Sequence, residues 1–194
     1  MSALKQEYQR YSLPEYLALE EQANYKSEYH QGYITAMAGA SLDHNQITSN
    51  LLGELYQALA GKGCRVFSSD LRVWVEAKAR ATYPDITVVC GRPELMAGRN
   101  DTIINPTVII EVLSKSTAFE DKGDKFQAYW ALNSLAEYVI VDQYQPRVEY
   151  FRWVNEKQWD LRVLTKLEDT LLLPALGIEV SLAKIYAQVS WGLE

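Results

Sequence analysis

Apolar residues at Ile47, Leu51, Leu55 and Leu59 recur every fourth position, the spacing of one face of an α-helix. Ser41 stands where an N-cap belongs and Gly61 where such a helix ends, so the pattern predicts a helix over residues 41–60. His44 extends the same stripe one turn toward the N-terminus. Upstream, Ser12-Leu13-Pro14-Glu15 is a capping box with proline in the first turn, which predicts a shorter helix over residues 13–21. Between the two, residues 25–29 and 33–37 flank His30-Gln31-Gly32 and read as a hairpin. Past Gly61 the pattern becomes that of strands, at residues 64–68, 71–75, 86–90 and 107–113. The last two are apolar on both alternating faces, as central strands covered on two sides would be. Thr117-Ala118-Phe119-Glu120 is a second capping box and opens a helix to about Leu132. Residues 138–141, 147–153 and 159–165, separated by short turns, predict an antiparallel meander, and a small helix over 182–189 closes the chain.

This order of elements implies an α/β (α+β) fold, a mixed β-sheet flanked by helices. The 194 residues suit a single domain over 1–194, with no repeat, linker or low-complexity tract to divide it. A chain of this length buries enough apolar surface to fold without a disulfide or a structural metal. Cys64 and Cys90 lie in or beside apolar runs, without CxxC spacing or a nearby histidine, and read as packed free thiols. The segment MSALKQEYQR lacks the apolar core of a signal peptide, and no run approaches the roughly 18 apolar residues of a membrane span. A cytoplasmic protein with no membrane partner is expected.

Chemistry enters with two carboxylates. Glu111 interrupts Val108-Ile109-Ile110-Glu-Val112-Leu113, a run otherwise suited to a buried strand. Burying an ionised carboxylate costs several kcal/mol unless an arginine, a metal or a raised pKa compensates. Asp85 follows Pro84 at the head of Ile86-Thr87-Val88-Val89, the start of a second central strand. If the two strands are neighbours, their carboxylates converge, and a hard divalent cation is a natural way to relieve the repulsion. The structural alternatives are an ion pair of Glu111 with Arg72 or Arg80, and a plain Pro-Asp turn for Asp85. The net charge of −6 leans against a phosphate-binding surface, though bound cations offset the carboxylates that hold them. The lack of an HExxH or HxxxH pattern disfavours a zinc hydrolase, leaving a zinc or manganese enzyme on small phosphoesters as a lesser alternative, and the lack of a glycine-rich phosphate loop or GxSxG elbow removes the kinase, NTPase and triad-hydrolase readings.

Tyr83-Pro84-Asp85 followed by Glu111-Val112-Leu113 resembles the PD-(D/E)xK signature of the restriction-endonuclease-like superfamily. Within it, the chain resembles the Uma-two family, through Glu28, His44, Pro84-Asp85, Asn105-Pro106, the run from Ile110 to Ser114, Lys125, Tyr129 and Glu137-Tyr138. The resemblance implies a restriction-endonuclease-like core and a Mg²⁺- or Mn²⁺-dependent endonuclease acting on DNA. In that reading Asp85 and Glu111 hold the metal, and Glu28 is a third acid that completes the metal site. One departure matters: the superfamily lysine should stand two residues after the glutamate, where this chain has Leu113. Lys115 projects on the same side as Leu113 but beyond the strand. Lys125, in the following helix, is the favoured substitute, against the alternative of a surface pair with Asp121. Without such a lysine the chain would be a catalytically degenerate nuclease fold that binds nucleic acid or protein.

Two accessory residues remain. Asp70, after Ser68-Ser69, either approaches the site or is a turn residue. His44 is either a helix-start or core histidine or a group that orients Glu28 or touches phosphate. Tyr144, Tyr150, Phe151, Trp153 and Trp159 crowd the meander as cross-strand core pairs, with a homodimer interface as the sharper alternative and base stacking as a third.

Overall fold

The computed structural model describes residues 9–114, 123–155 and 158–191. Helix α1 (Leu13–Gln22) opens on the expected reciprocal cap, the Ser12 N–H donating to Glu15 Oε2 at 2.7 Å while Glu15 N–H donates to Ser12 Oγ at 3.4 Å. Strands β1 (Ser27–His30) and β2 (Tyr33–Ala36) follow. Their turn needs two left-handed residues, Gln31 at φ 50° and Gly32 at φ 97°, the geometry whose twist matches a hairpin. Helix α2 (Leu42–Leu59) is capped by Ser41 and buries Ile47, Leu51, Leu55 and Leu59, the stripe read from the sequence.

The expected single mixed sheet is in fact divided. Strands β3 (Cys64–Ser68), β6 (Ile86–Cys90), β8 (Val108–Leu113), β9 (Glu137–Asp142), β10 (Val148–Asn155) and β11 (Gln158–Leu164) form a six-stranded sheet ordered β11-β10-β9-β8-β6-β3. The β8–β9 pairing is parallel and the rest antiparallel, so the sheet is mixed. The N-terminal hairpin and β4 (Arg72–Val75) belong instead to a five-stranded sheet, completed by β5 (Arg80–Thr82) and β7 (Thr102–Ile103), in the order β2-β1-β5-β4-β7. The dividing element is β5, which follows a 3₁₀ turn at Glu76–Lys78 and a left-handed Ala79. With only three residues it carries no periodicity of its own, yet it joins β1 to β4.

Three apolar clusters set the layers. One face of the six-stranded sheet packs on α2, on a hairpin of β12 (Thr170–Leu173) and β13 (Ile178–Ser181), and on α4 (Leu182–Ile185). The opposite face meets Val73, Val75 and Ile103 of the smaller sheet and helix α3 (Asp124–Tyr129). Helix α1 covers the other side of the smaller sheet through Tyr16, Tyr29 and Trp74. The β12–β13 hairpin was not anticipated, and the last helix ends at Ile185 rather than 189. The capping box at Thr117 lies outside the described residues, as do Lys115 and Asp121. Cys64 and Cys90 are not free thiols. They are the directly opposed pair at one end of the antiparallel β3–β6 ladder and form a disulfide. Among the described residues no helix is long and apolar enough to cross a membrane.

Candidate active site

Strand parity and register bring the two carboxylates together. In β8, Val108, Ile110 and Val112 face α2, while Ile109, Glu111 and Leu113 face α3. In β6, Val88 faces α2 and Val89 faces α3, which puts Asp85, just ahead of the strand, on the α3 side as well. The antiparallel register pairs Ile86 with Ile110, so one step further sets Asp85 opposite Glu111. Backbone contacts lock the juxtaposition. Asp85 N–H donates to Glu111 Oε2 at 3.3 Å, and Val112 N–H donates to Asp85 Oδ2 at 2.7 Å.

Helix α3 supplies the cation. Lys125 is buried, with Nζ 2.9 Å from Glu111 Oε1 and 3.1 Å from Glu28 Oε1. It is therefore not a surface residue, and it stands over the sheet face to which Leu113 contributes apolar packing. Tyr129, one helical turn after Lys125, donates its O–H to Glu111 Oε1 at 3.0 Å. Burial, with the Glu111 charge adding to it, holds the Tyr129 phenol well above its ordinary pKa. The single phenolic proton goes to the carboxylate, so Thr82, 2.9 Å away, donates to Tyr129 in turn.

Glu28 reaches the cluster from the smaller sheet. Its Oε1 accepts from Tyr83 N–H at 3.3 Å, and its Oε2 lies 3.9 Å from the guanidinium of the fully buried Arg80. The cation beside Glu111 is thus Lys125, while Arg80 serves Glu28. Arg72 is engaged elsewhere, with Glu20 at 3.3 Å and Asp101 at 3.5 Å. Burial, and the hydrogen bond Tyr83 donates to Glu20, push the Tyr83 phenol up to about 12. Tyr83 thereby anchors the chain where it crosses, through Pro84, from the smaller sheet into β6.

His44 is the third residue of α2, its N–H satisfied by the Ser41 cap, and its Nε2 lies 3.2 Å from Asp85 Oδ2. It reaches Asp85 where the sequence had suggested Glu28 or a phosphate. Asp70 is not brought to the cluster: it is exposed at a turn and pairs with Lys26 at 3.0 Å. Gln143 was missed altogether. Its Nε2 donates to the Leu113 carbonyl at 2.7 Å and its Oε1 accepts from Ser41 Oγ, tying the end of β8 to the N-cap of α2. Nothing in its polar, turn-like surroundings signals that task.

The donor set suits a hard divalent cation. Val112 and His44 both engage Asp85 Oδ2, leaving Oδ1 without a hydrogen bond among the described residues, beside the Glu111 carboxylate. Carboxylate oxygens are the ligands Mg²⁺ and Mn²⁺ select. Among the described residues no group of three His, Cys, Asp or Glu converges closely enough to hold a metal by itself, and Asp85 and Glu111 are the two carboxylates that could share one.

Comparison with known proteins bears on the family and the fold. Two uncharacterized proteins of Synechocystis sp. align with the chain. One is 40% identical over 153 residues, covering 79% of this chain and 85% of its own length. The other is 30% identical over 179 residues, covering 92% and 93%. The crystal structure of a "putative nuclease belonging to DUF820" from Anabaena variabilis superposes with a TM-score of 0.77 over 93% of this chain and 99% of that one, at 20% identity, and so shares the fold. Residues 13–184 match the family Uma2, described as "Putative restriction endonuclease", and the chain belongs to that family.

Proposed function

We propose that the chain is a Mg²⁺- or Mn²⁺-dependent endonuclease that hydrolyses DNA phosphodiester bonds, working as a homodimer. The observation that carries this reading is the buried Lys125 ammonium, 2.9 Å from Glu111, itself opposite Asp85 on the adjacent strand. It restores from a helix the cation that Leu113 omits from the strand. A bound cation supplies Lewis-acid stabilisation of charge on the phosphoryl oxygens. Asp85 and Glu111 hold it, and the hydrogen bond from Tyr129 keeps Glu111 in one rotamer. Lys125 orients the attacking water and meets the negative charge that develops on the phosphate. The third-ligand role expected for Glu28 becomes, in this arrangement, that of fixing Lys125, with Arg80 balancing the Glu28 charge. The family's description as a restriction endonuclease supports DNA as the substrate.

Calorimetric titration of Mn²⁺ into wild type, Asp85→Asn and Glu111→Gln tests the metal site, and plasmid cleavage tests the chemistry. Saturable binding should be lost in both variants while they remain folded. Lys125→Met should keep the metal and lose on the order of a hundredfold or more in cleavage rate. Absence of binding to wild type, with and without duplex present, would sink the metal reading. Metal binding without cleavage by wild type would favour a nuclease-fold module that binds and does not cut, a reading that the net charge of −6 supports.

A further inference from the structure

Strand β11 ends the six-stranded sheet, and among the described residues no strand pairs with its outer edge. Edges of this kind are normally blunted by lysine, proline, a bulge or a short length. Here the strand is seven residues, Gln-Trp-Asp-Leu-Arg-Val-Leu, with neither proline nor lysine. Alternation puts Trp159, Leu161 and Val163 on the α3 side of the sheet. Opposite them on β10 stand Trp153, Phe151 and Glu149. Leu161 is 52% and Val163 42% exposed, and Trp153 and Trp130, both in ring contact with Trp159, are 39% and 46% exposed. The apolar surface therefore runs to the unpaired edge. On the other side of the same strand Asp160 and Arg162 pair at 3.4 Å, both partly exposed.

We propose that β11 is the interface of a two-fold homodimer, pairing antiparallel with its own copy about Leu161. That register is self-complementary in charge and in shape. Asp160 of each copy falls opposite Arg162 of the other, forming two symmetry-related ion pairs. Trp159 falls opposite Val163, an aromatic–β-branched pair of the kind that stabilises antiparallel ladders, and Leu161 meets itself. A two-fold axis through Leu161 makes each contact occur twice, as an isologous interface requires. It also fuses the two sheets with their α3 faces on one side. Moving the axis by one residue, onto Asp160 or onto Arg162, would bring acid against acid or base against base, so the charges select the register.

The test is solution mass by sedimentation equilibrium on the full chain, independent of any cleavage. Wild type should have twice the 22.1 kDa chain mass. Asp160→Arg and Arg162→Asp, each setting like charges across the axis, should each halve the mass without changing the circular dichroism spectrum. Mixing these two variants should restore the doubled mass, because each then presents the other's complement. A monomeric wild type at tens of micromolar would overturn the proposal. So would charge variants that stay dimeric, or a mixture of the two that fails to associate.

Discussion

Glu137 is a buried carboxyl with no part in the site. Its Oε1 accepts from Tyr150 O–H and from Ala175 N–H, each at 2.9 Å, and its Oε2 has no hydrogen-bond partner among the described residues. Burial raises its pKa above the ordinary 4.5, against the pull of the two donors. For an acid shifted in this direction the unfolded chain ionises first. Stability is therefore complete below the ordinary value and declines as pH rises toward the folded one. Glu137→Gln removes that slope, so urea unfolding from pH 4 to pH 7 should show the variant gaining on wild type as pH rises. A constant difference across the range would contradict the assignment. At this scale the sequence was legible where physics made a residue improbable. Glu111 stood out because an ionised carboxylate in an apolar run demands a partner, and Asp85 followed from its place at the next strand's head. Tyr129 stood among the residues that carry the resemblance but without a task, and Gln143 was not legible at all, because a tyrosine in a helix and a glutamine after a strand have many ordinary uses.

Among elements, legibility tracked length. The α2 stripe extends over four turns and was read within a residue at each end, whereas β5 and β7, at three and two residues, carry no period to read. Missing β5 concealed the division into two sheets, and with it the reason Glu28 and Lys125 meet. The cysteines were misread for a related cause. Without the β3–β6 register nothing in their spacing brings them together. The bond ties an edge strand to the strand that begins just after Asp85, across a separation of 26 residues, a loop for which chain entropy predicts about 3.5 kcal/mol. Thiol titration of the unfolded, unreduced protein should find no free thiol, and two after reduction. Reduction should also lower the melting temperature. Two thiols before reduction would remove the bond from the account.

For the molecule as a whole, joining two sheets through β11 places the two β8 strands seven strand spacings apart, about 34 Å along the sheet. That is comparable with one turn of duplex DNA. If cutting both strands depends on this pairing, wild type should linearise supercoiled plasmid, and Asp160→Arg should accumulate the nicked circle instead. Direct linearisation by a monomeric variant would uncouple assembly from cleavage. The partition of the site has a different consequence. The carboxylate pair belongs wholly to the larger sheet, while the acid and guanidinium that steady Lys125 belong to the smaller one. Substitutions along the N-terminal hairpin can therefore weaken the lysine without disturbing the strands that carry Asp85 and Glu111. Such a change would leave the carboxylate pair intact while the ammonium loses its second anchor, Glu28.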